Sequence, residues 1–164
     1  MITVIGIDPG KNGAMVAMKD DGSIQPLIMP IVANEYDIQT ISEWLRSFMI
    51  TDYKPLYICM EKVHAMPGQG TVSMFNFGFG YGLLHGIIGS LKLPLYLVAP
   101  QSWKKLILVD TSKDKDAAVA YVKRMYPNLD MMATPRSKRP HSGIADAVCI
   151  ANWMLSQLHS GKLR

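Results

Sequence analysis

The chain has 164 residues, 49% of them apolar and 18% charged, a length that suits a single domain spanning 1–164. Half the residues being apolar excludes a disordered chain, and a chain this long builds a core without disulfide or metal staples. No window holds about 18 uninterrupted apolar residues, so no membrane span is expected. The run Ile2 to Ile7 has no basic leader and meets Asp8-Pro9-Gly10 at once, which argues against a signal peptide. Cys59 and Cys149 lie inside apolar runs and read as reduced thiols of a cytoplasmic protein, without zinc-ligand partners. Net charge is +4 but unevenly spread: residues 1–81 carry five Lys/Arg against eight Asp/Glu, and residues 82–164 carry twelve against five. Such a split suits a polyanionic partner on one surface, and equally a solvated basic face.

In chain order, a β-branched run over residues 1–8 ends in an acid. Residues 14–19 and 24–29 form two more strands, joined by the hairpin turn Asp20-Asp21-Gly22, so the chain opens with an antiparallel meander. Ile38, Ile41, Leu45 and Phe48 then recur at helical spacing, which predicts an amphipathic helix over 37–50. The continuous apolar run 56–60 suits a buried central strand and stops at Glu61. A Gly/Pro loop over 62–70 leads into a Gly-rich helix over 72–90, followed by a short strand over 95–98. Pro100 opens a helix through 108; a further helix over 113–126 is capped by Thr111 or Ser112 and closed by Pro127. An irregular loop over 127–142 precedes a last helix over 144–159. Three antiparallel strands followed by βαβ units predict an α/β, RNase H-like fold: a mixed five-stranded sheet with helices on both faces.

Buried strands seldom end in carboxylates, because an unpaired buried charge is costly. Here Asp8 ends the first strand and Glu61, one of three glutamates, ends the most apolar one. In the expected sheet the two strands are neighbours, so both carboxylates reach one edge. Asp146 stands in the first turn of the last helix. Converging carboxylates repel unless cations neutralise them, and hard oxygen ligands suit Mg²⁺ with Mn²⁺ able to substitute. Two such ions promote in-line phosphoryl displacement. Each acid also has a plainer reading: Asp8 as a turn residue, Glu61 as a partner of Lys62 or Lys54, Asp146 as an acid at a helix start.

The segments Ile5-Gly6-Ile7-Asp8-Pro9-Gly10, Glu61-Lys62-Val63-His64-Ala65-Met66-Pro67, Phe75-Asn76-Phe77-Gly78, Pro100-Gln101-Ser102-Trp103-Lys104-Lys105 and Gly143-Ile144-Ala145-Asp146-Ala147 together resemble the RuvC-like Holliday junction resolvases, closest to the bacteriophage type. The segments stand in family order and cover nearly the whole chain. The resemblance implies a Mg²⁺-dependent, homodimeric endonuclease that cuts four-way DNA junctions to 5′-phosphate and 3′-hydroxyl ends. It places Asp8, Glu61 and Asp146 on metal-ligand positions. A fourth ligand is implied shortly before the last acid, where His141 is the candidate because Ser142 and Gly143 occupy the expected neighbourhood. The resemblance also puts Lys104 and Lys115 near the scissile phosphate, with Lys105 close behind. Where the family often carries an aromatic three residues beyond its glutamate, this chain has His64, a candidate for stacking on unpaired bases.

Ten of the seventeen basic residues lie between Lys92 and Arg139. Arg136, Lys138 and Arg139 share one loop with His141 and are candidates for contact with the DNA backbone, which sets affinity and salt dependence rather than sequence preference. Gly78, Gly82 and Gly86 make a smooth helix stripe whose partner is a second subunit, a sugar-phosphate backbone, or the chain's own sheet. Phe75 with Phe79, and Phe77 with Tyr81, read mostly as core. A non-catalytic branched-DNA-binding protein of the same fold is the competing reading. An actin-like ATPase needs two such domains and is excluded by length, and no P-loop is present.

Overall fold

Alternation along the strands sets the architecture. In the computed structural model, which describes residues 2–49, 55–64, 68, 70–109 and 116–163, β1 (Thr3–Asp8), β2 (Ala14–Lys19) and β3 (Ile24–Ile28) form the expected antiparallel meander. Pro26 has no N–H to donate to a ladder, and β3 is the edge strand that tolerates it. The central strand β6 (Leu56–Glu61) pairs parallel with β1, and β7 (Leu95–Val98) pairs parallel with β6, giving the order β3-β2-β1-β6-β7. This is the mixed five-stranded sheet the sequence predicts.

Helices cover both faces. Val4, Val16, Met18, Cys59 and Val98 point to one face, where α3 (Pro100–Ile107), α4 (Ala117–Met125) and α5 (Ser142–His159) bury Trp103, Val122, Val148 and Ile150. Ile5, Ile7, Met15, Ile58 and Met60 point to the other, under α1 (Ile38–Ser47) and α2 (Thr71–Ser90), with Ile41, Leu45, Leu84 and Ile88. Helix α1 begins where Asp37 Oδ1 accepts the Thr40 N–H at 3.1 Å. Its period-3.6 apolar stripe faces the sheet, as the spacing requires. The two thiols are buried, and burial alone pushes Cys59 up to about 12. Among the described residues no helix is long and apolar enough to cross a membrane.

Several expectations need correction. Between β3 and α1 the chain forms a small ribbon, β4 (Ile31–Val32) against β5 (Glu35–Tyr36), closed by Ala33 and Asn34 at positive φ. Segments of two residues carry no periodicity, so no pattern announced it. The helix expected over 113–126 begins at Ala117; its first residues, with Thr111 and Ser112, lie outside the described residues. The glycine stripe does not pack on the chain's own sheet, because a Cβ at Gly78, Gly82 or Gly86 would meet nothing within 4 Å. Phe75 and Phe79 are 72% and 53% exposed rather than core. Composition says that α2 is apolar all round, but not which surface covers it.

Candidate active site

The register of the sheet brings the first two acids together. Ile7 pairs with Met60 across the parallel β1–β6 ladder, so the next residues, Asp8 and Glu61, sit level at the same strand ends. Period-2 alternation from Val4 through Gly6, and from Cys59, turns both toward the face occupied by α3 and α5. Two glycines then seat α5. At Gly6 a Cβ would lie 2.1 Å from the Ala147 carbonyl oxygen, so the helix rests directly on β1. At Gly143 a Cβ would lie 2.7 Å from the Asn12 carbonyl oxygen and from Gly13 Cα, so the first turn of α5 abuts the turn that follows Asp8. Asp146 is carried to the Asp8 edge by these contacts.

The electrostatics record the convergence. Burial raises the Asp8 carboxyl to about 7, helped by the charges of Asp146 and Glu61 and opposed by the Gly10 N–H and Lys104. Burial also raises Asp146, to about 6; Lys104 opposes this and Glu61 adds to it. Lys104 is therefore a cation within range of these two acids, and its ammonium also lies 5.1 Å from the Trp103 ring centroid. Crowded carboxylates held partly protonated are a donor set that fits a hard divalent cation, whose charge would replace the protons. Among the described residues no three His, Cys, Asp or Glu side chains close around a single point on their own.

His141 has a second task. Its Nδ1 accepts the Ile144 N–H at 3.3 Å and so caps α5, while its backbone N–H donates to the Met131 carbonyl at 2.7 Å. Burial lowers its pKa, favouring the neutral ring. With Nδ1 accepting, the remaining proton sits on Nε2, which makes that atom a donor. Coordination by His141 requires the ring to give up either the cap or that proton.

The remaining described candidates are solvent-exposed. His64 and Lys105 are exposed. Arg136, Lys138 and Arg139 are exposed on a loop drawn closed by the Met132–Pro140 bridge, by Ser137 N–H donating to the Thr134 carbonyl at 3.0 Å, and by Asp130 Oδ1 accepting the Met132 N–H at 2.8 Å. The loop is thus more ordered than its irregular sequence suggests. Lys115 lies outside the described residues. Sequence reasoning missed Trp103, whose Nε1 donates to Glu61 Oε1 at 2.9 Å across 42 residues of chain. It also missed Tyr36, whose hydroxyl donates to the Pro9 carbonyl at 3.3 Å, beside Asp8. The only available signal was negative: a large aromatic with a polar atom, placed where the core needs only bulk.

Sheet order, paired strand-end acids and the final helix laid on β1 define an RNase H-like α/β fold of the RuvC type. Thermus thermophilus RuvC in complex with a Holliday junction substrate superposes with a TM-score of 0.65 at 17% identity, over 98% of this chain and 97% of that one. A second Thermus thermophilus RuvC structure gives 0.61 at 19% identity, again over 98% and 97%. The yeast mitochondrial Holliday junction resolvase Ydc2 gives 0.54 at 16% identity, over 95% of this chain and 80% of that one. No protein-family model and no curated sequence relative matches the chain, so the likeness is one of fold.

Proposed function

We propose that this chain is a divalent-metal-dependent endonuclease that resolves four-way and related branched DNA junctions, leaving 5′-phosphate and 3′-hydroxyl ends. The observation that carries the reading is the electrostatic convergence of Asp8, Glu61 and Asp146 on one sheet edge beside Lys104. The fold it shares with Thermus thermophilus RuvC, a protein solved with a Holliday junction substrate, supports the choice of DNA class. Asp8, Glu61 and Asp146 would hold Mg²⁺ or Mn²⁺, two ions per site, with His141 as the fourth candidate ligand. Bound there, the metal supplies an activated water and neutralises the leaving oxygen. The chain's own residues position the phosphate: Lys104, near the acids, offsets its charge, with Lys105 and Lys115 as further candidates for that role. Arg136, Lys138 and Arg139 grip the backbone on the closed loop, and His64 stacks on an unpaired base.

The unit of action is a homodimer. Helix α2 leaves Val72, Phe75 and Phe79 open beside a glycine stripe at which an added Cβ would meet nothing within 4 Å among the described residues. Helical spacing sets Phe75 on the same face as Gly78, Gly82 and Gly86. A smooth apolar helix face of this kind suits close contact with the same face of a second copy, and two copies present two sites to opposed strands.

Cleavage of a synthetic four-way junction in Mg²⁺ tests the proposal. Asp8→Asn is expected to abolish cutting while junction binding in EDTA persists; cutting at the wild-type rate overturns it. A non-catalytic junction-binding protein is the second reading, favoured by the tie of His141 Nδ1 to the α5 cap. Absence of Mn²⁺ uptake in calorimetry with retained junction binding would select it.

A further inference from the structure

Trp103 is 1% exposed and belongs to the core under α5, yet its polar edge leaves that core. A buried indole N–H requires an acceptor, and it finds one in Glu61 Oε1 at 2.9 Å. The opposite pressure on Glu61 is also present. Its charge repels both Asp8 and Asp146, as their raised pKa values record. A glutamate at a strand end relieves such repulsion by swinging into water. A fixed donor on a rigid, buried ring prevents it.

We propose that Trp103 is a positioning residue for the metal centre: its indole N–H holds one oxygen of Glu61 against the repulsion of Asp8 and Asp146 and leaves Oε2 for a divalent cation. The inference rests on the nuclease reading above and adds to it a residue that touches neither metal nor substrate. Pro100 at the first turn of α3 fixes the helix that carries the ring. The ring's face receives the Lys104 ammonium at 5.1 Å, so one buried side chain orients the acid through its edge and meets the base through its face.

Trp103→Phe keeps an aromatic ring and deletes the N–H. Calorimetric titration with Mn²⁺, without DNA, is expected to show about a tenfold loss of affinity, the order expected for a hydrogen bond to a charged group. The Mg²⁺ concentration for half-maximal junction cutting rises in parallel, while junction affinity in EDTA stays unchanged. A merely structural role is separated by a double-mutant cycle: with Glu61→Ala in place, Trp103→Phe is expected to cost no further Mn²⁺ affinity. Equal Mn²⁺ affinity of Trp103→Phe and wild type, or a fully additive loss in the cycle, overturns the inference. Where the smaller ring fails to fold, benzothienylalanine at position 103 keeps the bicycle without the N–H and is read by the same criteria. A wild-type chain that neither takes up Mn²⁺ nor cuts junctions overturns the nuclease reading and this inference with it. A wild-type chain that does both, matched by the variant, overturns the inference alone.

Discussion

Replacing Asp8 by Asn should stabilise the metal-free protein, increasingly so as pH rises from about 4 to 8. The folded carboxyl sits at about 7 against an ordinary 3.8. Between those values the folded chain binds more protons than the unfolded one, so stability falls as pH rises through this window. At about 1.4 kcal/mol per tenfold change in proton affinity the full displacement corresponds to about 4 kcal/mol. Asp8 retains partial solvent contact, and screening brings the expected effect to about 2 kcal/mol. An asparagine keeps the acceptor for the Gly10 N–H and carries no charge, so it imitates the protonated acid. For a domain of this length the melting midpoint should rise by roughly 4–8 °C at pH 8 in EDTA, and the gain should shrink as pH falls, to a small fraction at about pH 4, close to the ordinary value of 3.8. Saturating Mg²⁺ should close the gap by stabilising the wild type alone. Thermal unfolding by circular dichroism at the two pH values reads all four conditions. A variant no more stable at pH 8 than at pH 4, relative to wild type, refutes the crowded-carboxylate account.

Other perturbations probe other layers. Gly6→Ala forces a Cβ to 2.1 Å from the Ala147 carbonyl oxygen and should cost about 3 kcal/mol in urea unfolding, with loss of near-ultraviolet signal as α5 lifts. A stability near wild type would mean α5 does not lie on β1 as described. Replacing Arg136, Lys138 and Arg139 together by Ala should weaken junction binding and lower the slope of log affinity against log salt by about 2–3; an unchanged slope removes the loop from the DNA interface. Gly82→Ala has open space for its Cβ and should stabilise an isolated helix by about 0.5–1 kcal/mol. In the dimer the same methyl should instead loosen association in sedimentation, and tighter or unaltered association would locate the interface elsewhere.

Much of the fold was legible because the pattern changes at marked points. The apolar runs of β1 and β2, the turn at Gly22 and the switch to helical spacing at Ile38 fix the order of elements. Asp8 and Glu61 stood out because they end apolar strands, a position that costs free energy unless used. Other features have no local signature. That Trp103 reaches Glu61 depends on how far α3 leans over β6, which follows from packing rather than from spacing. The tie between His141 Nδ1 and Ile144 looked from sequence like a free ligand, because histidine is an uncommon cap. The exposed phenylalanines of α2 misled for a simpler reason. An apolar helix reports that something covers it, and the covering surface is not encoded in the helix itself.

Of the two helical layers, only one reaches the chemistry directly. Asp146 and Lys104 hang from α5 and α3, while α1 and α2 hold none of the candidate acids. The small ribbon links the layers through one phenol: the Tyr36 ring occupies the space beside Gly80 of α2, where a Cβ would come within 2.4 Å of it, and its hydroxyl donates to Pro9. In the proposed dimer, a second copy seated on α2 would therefore pull on the backbone one residue past Asp8, and Tyr36→Phe would remove that connection while leaving the ring in its seat.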